Sequence, residues 1–275
     1  MPRITLHNLL IPIVPNVPTV PFSKIHRRTP MNKFLYDGTP EGLVSAIASI
    51  LDGGGDPAQA HLAVRQDTLF EEGLFLRTDP AAAEALFQRL RQGAPDAVYT
   101  LWYFMMAEVD DLETSLLRYI ALAFEHGDRV NGYLTHADVK AIVATARKAG
   151  RELHRMKGLL RFEQLRDGTW LARMEPDHNI IQPLAQHFSK RLRGQTWFIY
   201  DVRRRSAAHW NGRDLSFGTL EQFTRPELSE EEKAVRQMWQ SFFKTIAIPE
   251  RKNPRLQKSN MPAKYWKYLT EKQGE

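Results

Sequence analysis

The spacing of apolar residues changes period at Gly158, and this change limits the fold of the chain more than any other feature. Before it, apolar side chains recur every three to four residues, the pattern of helices with one buried face. After it, short runs alternate between apolar and polar positions and are separated by turn pairs, the pattern of strands. A helical part followed by a sheet-forming part predicts an α+β fold, with a small antiparallel sheet arranged as β-hairpin, helix, β-hairpin and then a C-terminal helix.

The local signals fill in this outline. Lys33-Phe34-Leu35-Tyr36 reads as a short strand, and Leu74 to Arg77 as another. Thr39-Pro40-Glu41 is a helix start, leading into Leu43, Val44, Ile47, Ile50 and Leu51 until Gly53-Gly54-Gly55 stops it. That triplet lacks the following Lys and Ser/Thr of a phosphate loop, so it reads as a flexible connection. Asp79-Pro80 opens a second helix carrying Leu86, Phe87 and Leu90. A third spans about 96–109, with Trp102, Tyr103, Phe104, Met105 and Met106 read as core. A fourth runs to His126 and stops at Gly127, and Thr135 is positioned to cap a long basic helix reaching Lys157. Beyond Gly158, the runs 159–165 and 169–174 flank Asp167-Gly168 as a hairpin. Pro176-Asp177 reads as the start of a helix through Leu184, Phe188 and Leu192. The run 196–202 is the clearest strand, and a further one precedes Asn211-Gly212. Ser229 and Glu232 match a capping box opening the last helix, through Val235, Met238, Trp239, Phe242 and Phe243.

Four segments follow from this reading: a Pro-rich extension (1–30) outside the fold, a mainly helical part (31–158), an α+β part with its C-terminal helix (159–248), and a basic aromatic tail (249–275). Five prolines before residue 22 rule out a regular helix in the extension and interrupt any secretory signal, so the functional protein is expected to begin near Met31. The apolar runs Leu9–Val14 and Trp102–Ala107 fall far short of the roughly 18 residues of a membrane helix. The chain has no cysteine, which removes disulfides, thiolate zinc sites, iron–sulfur clusters and cysteine nucleophiles together. No cofactor of its own is expected, and the composition fits a reducing cytoplasm.

Charge is distributed unevenly. Residues 31–146 carry 8 basic against 17 acidic residues, whereas 147–205 carry 14 against 6. An acidic half followed by a basic block points toward nucleic acid, the alternative being solvated helix faces. Within the block, Arg151, Arg155, Lys157 and Arg161 surround His154, and Arg191, Arg203 and Arg204 follow; such side chains can track a phosphate backbone. Phe162 and Trp170 are placed either to stack on bases or to fill the core. Arg251 and Asn253, with Tyr265 and Trp266, can read or stack on bases, or belong to a docking tail.

Residues able to do chemistry are scattered. Asp37 reads as a turn residue or a site carboxylate, and Asp201 as the ion-pair partner of Arg203 or Arg204 or else a general base. His178 and His187 are nine positions apart and do not share a helix face, so with His154 they can meet only through tertiary folding, and no metal site is assigned.

Taken together, Tyr36-Asp37-Gly38, His154, Lys157, Arg161-Phe162, Pro176-Asp177-His178, His187-Phe188, Arg191, the run 197–201, Glu250-Arg251, Asn253, Met261-Pro262 and Tyr265-Trp266 resemble a bacterial family described as probable DNA metabolism proteins, a domain of unknown function. The resemblance spans about Met31 to Glu271. It implies partnership with a radical-SAM protein of DNA modification or repair, and in some relatives fusion to a uracil-DNA-glycosylase-like domain, for which this chain has no room. The expectation is therefore a DNA-binding accessory protein acting with a partner enzyme. A DNA-processing enzyme (nuclease or glycosylase-like) using Asp37, His154, His178, His187 or Asp201 is the first alternative, and a protein-interaction scaffold the second.

Overall fold

The computed structural model describes residues 32–66, 72–224 and 226–273. The Pro-rich segment and the start expected near Met31 lie outside the described residues. The chain divides into two compact units, the first ending at Arg147 and the second beginning at Lys148.

In the first unit, β1 (Lys33–Tyr36) is the middle strand of a three-stranded parallel sheet, flanked by β2 (His61–Val64) and β3 (Leu74–Phe75). The strand β2 and the parallel pairing were not foreseen, because four-residue strands carry little periodicity. Helix α1 (Pro40–Asp52) starts as its sequence dictates: the Thr39 hydroxyl accepts from the Gly42 amide, satisfying one of the unpaired donors of the first turn. Asp79 does the same for α2 (Pro80–Gly93), accepting from the amides of Ala81 and Ala82. Helix α3 (Pro95–Met105) ends earlier than expected, since Glu108 and Asp111 adopt positive φ (48° and 64°), which a right-handed helix cannot continue through. Phe104 and Met106 are buried as expected of core, while Trp102, Tyr103 and Met105 are half-buried. Helix α4 (Glu113–His126) stops at Gly127, whose φ of 60° suits glycine. The core joins Ile47, Leu86, Phe87, Leu90, Leu101 and Ile120, each buried.

Helix α5 (Ala137–Leu159) begins too late for Thr135 to be its cap, which leaves His136 at that position. The second unit holds a five-stranded sheet in the order β4 (Phe162–Gln164), β5 (Trp170–Met174), β6 (Trp197–Asp201), β7 (Ser206–Trp210), β8 (Leu215–Thr219). It is mixed, not antiparallel as expected. Both hairpins are present, but β5 and β6 run parallel, because the segment joining them carries α6 (Ile181–Arg191) and returns the chain to the same edge. Phe188 of α6 lies against Phe162, and Phe162 against Trp197, with ring centres 5.0 and 5.9 Å apart, so the half-buried Phe162 packs on core aromatics. The opposite sheet face carries Leu171, Tyr200 and Ala207.

Helix α7 (Glu230–Thr245) has half of the expected capping box. Ser229 accepts from the Glu232 amide, but the Glu232 carboxylate turns away to accept from the amide of Gln164 on β4. After α8 (Pro254–Asn260) the C-terminal residues pack into the unit, with Tyr265 and Leu269 buried. Among the described residues, no helix is long and apolar enough to cross a membrane.

Candidate nucleic-acid interface

One heavily bonded buried side chain of the second unit is one that sequence reading passed over. Glu152 is buried on α5, and its carboxylate accepts from the amides of Asp177 and His178 (3.0 and 2.8 Å), from the Lys264 ammonium (3.0 Å) and from the Tyr265 hydroxyl. Burial alone pushes the Glu152 pKa up, but the donors Tyr265, the two amides and Lys264 outweigh it and hold the carboxyl below its ordinary value. Lys264 also bridges to Asp177. Burial works against its charge, yet Asp177, Tyr265 and Glu152 raise its pKa and keep it an ammonium.

Arg204 completes the clamp. Its guanidinium donates to the carbonyls of Pro176 (3.2 Å) and Asp177 (2.8 Å) and to Asp201 (3.0 Å). Asp201 is fully buried and also accepts from the amides of Arg203 and Arg204, so the ion-pair reading describes its surroundings. Burial raises its pKa, and these donors offset that only in part. With its backbone groups taken from both sides, the segment Pro176–His178 stays out of the helix. This is why α6 begins at Ile181 and not at Pro176. Beside the clamp lies a cleft of about 460 Å³, lined by Glu175, Asp177, Arg203, Ala263, Lys264 and Lys267. Its cations and carboxylates are mostly paired with each other, Lys267 with Glu175 and Lys264 with Asp177.

A different set of basic side chains is left without such partners. Arg151, Arg155 and Lys157 on α5, and Lys190 and Arg191 on α6, form no ion pair or hydrogen bond with any described residue. Arg151, Lys190 and Arg191 are exposed, and Arg155 and Lys157 half-exposed. On α5, Arg151 and Arg155 are one turn apart beside the exposed His154; on α6, His187, Lys190 and Arg191 share a face. The two groups meet at Lys157 and His187. Partial burial first, and then the positive charges of Lys157, Arg191 and Lys190, push the His187 pKa down. Lys190 and Arg191 also sit in the last turn of α6, where cations suit the helix dipole.

The remaining expected site residues are spread out. Arg161 makes a two-pronged ion pair with the buried Glu271 (2.7 and 3.3 Å), so it is a structural residue and not a free phosphate ligand. Arg203 is exposed at the cleft and donates to the Asp177 carbonyl. Arg251 is exposed, and Asn253 caps α8 by accepting from the Leu256 amide. Tyr265 is committed to Glu152, and Trp266 donates to the Met261 carbonyl. Asp37 belongs to the first unit and accepts from the Thr39 amide (2.9 Å), the Thr39 hydroxyl (2.6 Å) and the Thr78 hydroxyl, a turn carboxylate in a local network. The Nδ1 atom of His178 is shielded from solvent without a hydrogen-bond partner. Among the described residues, no three His, Asp or Glu side chains gather as metal ligands.

The Pro176-Asp177-His178 run and the Tyr265-Trp266 pair were visible as motifs, whereas Lys264 was not singled out. Nothing local to Glu152 marked it as their common acceptor, apart from being an acidic residue in a basic stretch of helix.

A family model described as a domain of unknown function, DUF4130, matches residues 110–271. The match covers more than half of the chain, which therefore belongs to this family. No curated protein and no solved structure matches it.

Proposed function

We propose that this DUF4130 chain binds DNA through the basic ridge of its second unit and serves as an accessory protein to a DNA repair or modification enzyme. The observation that carries the reading is the division among its cations. Those around Glu152, Asp201 and Glu271 are consumed by carboxylates of the fold, whereas Arg151, Arg155, Lys157, Lys190 and Arg191 are left without such partners, the last three beside His187, whose charging they disfavour together with burial. Unneutralised cations so arranged gain from releasing the counterions of a phosphate backbone. The candidate acids Asp37 and Asp201 are occupied by structural donors, which supports binding over turnover. A radical-SAM enzyme is the partner class that the family resemblance supplies.

Fluorescence anisotropy with labelled single- and double-stranded DNA across a salt series tests this. Wild type is expected to bind with an affinity that falls linearly in log–log form as salt rises. Arg155→Ala/Lys157→Ala and Lys190→Ala/Arg191→Ala should each reduce the slope by about 1 for every phosphate contact removed. Binding that is absent, or whose salt slope ignores both variants, rejects the ridge as a DNA-binding surface.

A further inference from the structure

Helix α7 is moored to its unit by polar groups and turns an apolar stripe to solvent, the reverse of an ordinary surface helix. Its inner side is held by Glu232 to the Gln164 amide, by Arg236 to Glu163 (2.7 Å), and by Gln240 to the carbonyls of Thr270 and Gln273. Along another side run Val235 (53% exposed), Met238 (68%), Trp239 (41%), Phe242 (52%) and Ile246 (60%). The spacing is that of a packing seam, continued by the exposed Ile248. Side chains of this size, half exposed, present roughly 400–600 Å² of contiguous apolar surface, the upper range for a monomer and the range in which such patches serve interactions.

We infer that this face joins two copies of the chain, with α7 packed antiparallel against α7 of its partner across a two-fold axis. The charges at the two ends of the stripe argue for a second copy. Glu231 is exposed one turn before Val235 at the N-terminal end of the stripe, while the exposed Arg251 and Lys252 follow its C-terminal end. An antiparallel pair sets each acidic end against the basic end of the other copy, so one patch is its own complement, as an isologous interface requires. A parallel pair would set like charges together. Met238 stands midway along the 16-residue helix and packs on its own counterpart near the axis, while Trp239, whose indole N–H donates to Glu271 of its own unit, borders the contact. Doubling the patch gives about 1,000 Å², the lower bound of a specific interface, so the dimer is expected to dissociate on dilution.

Light scattering coupled to size-exclusion chromatography of the full chain, over a concentration series, reads this directly. The expected result is a monomer–dimer equilibrium whose dissociation constant rises about tenfold or more in Met238→Glu/Phe242→Glu, a change of about 1.4 kcal/mol or more. Circular dichroism should match wild type, as should urea midpoints at concentrations where both are monomeric, because both side chains are exposed. Glu231→Lys and Arg251→Glu/Lys252→Glu should each be monomeric alone and form a heterodimer when mixed, since antiparallel packing then pairs every end with its opposite. Wild type that is monomeric throughout, as when another segment or protein covers the stripe, overturns the inference. So does a dimer that survives Met238→Glu/Phe242→Glu, or charge variants that fail to pair on mixing.

Discussion

The hydroxyl of Tyr265 donates to the carboxylate of Glu152, a residue 113 positions earlier in the chain. Both side chains are buried, and the same carboxylate holds the amides of Asp177 and His178. One acid thus ties the end of a long helix, the segment before α6 and the C-terminal residues into a single unit.

Removing that acid should be costly. Glu152→Ala leaves a buried phenol and two amides without an acceptor and Lys264 without its inner partner, a loss of roughly 3–5 kcal/mol. Tyr265→Phe removes one donor to a charged acceptor and should cost about 1.5–3 kcal/mol. Urea unfolding of the two variants and the double variant checks this. The double variant should fall short of the sum, because the residues share one interaction.

Acidification should weaken the second unit through the same network. Glu152 and Glu271 have folded-state pKa values held below their ordinary 4.5. Each therefore adds stability above pH 4.5 that is lost as pH falls through the lowered folded value. Asp201, raised by burial, has the opposite sign: its contribution is fully present below its ordinary 3.8 and is lost as pH rises through the raised value. Urea midpoints measured from neutral pH down to about pH 3 should fall for wild type, and fall less steeply for Glu152→Gln.

His187 should report on the ridge. Lys157, Arg191 and Lys190 add to burial in lowering its pKa, so Lys157→Ala or Lys190→Ala should raise it in the free protein. Bound phosphate should raise it in wild type by cancelling the same charges, and DNA affinity should then increase as pH falls through the raised value of the complex. NMR titration of the His187 ring, free and DNA-bound, measures the shift. An unchanged titration in the complex would place DNA elsewhere.

In the first unit, Gly42→Ala should destabilise although alanine is the better helix former. A Cβ at this position collides with the Asp37 carboxylate, whose oxygens are already engaged by Thr39 and Thr78. The intrinsic gain of up to about 1 kcal/mol for Gly→Ala should be reversed, and Asp37→Ala/Gly42→Ala should recover part of it. Thermal melts of the three variants decide this.

The sequence by itself determined what depends on neighbours a few residues away. Thr39-Pro40, Asp79-Pro80 and Ser229 start helices where their side chains reach the first-turn amides, and Gly127, Gly168 and Gly212 stand at positive φ where turns require it. The hairpin β4–β5 and the strand β6 followed from alternation and turn pairs for the same reason. Tertiary structure alone decided which strands are neighbours and where each charge goes. Parallel pairing of β5 with β6, and of β1 with β2 and β3, joins segments that carry no local mark of one another. Arg161 and Arg155 look alike as residues in a basic stretch, yet one is paired with Glu271, 110 residues away, and the other is left for solvent. A cation becomes structural or available according to whether folding brings a carboxylate within a few ångströms, and spacing along the chain carries no record of that distance.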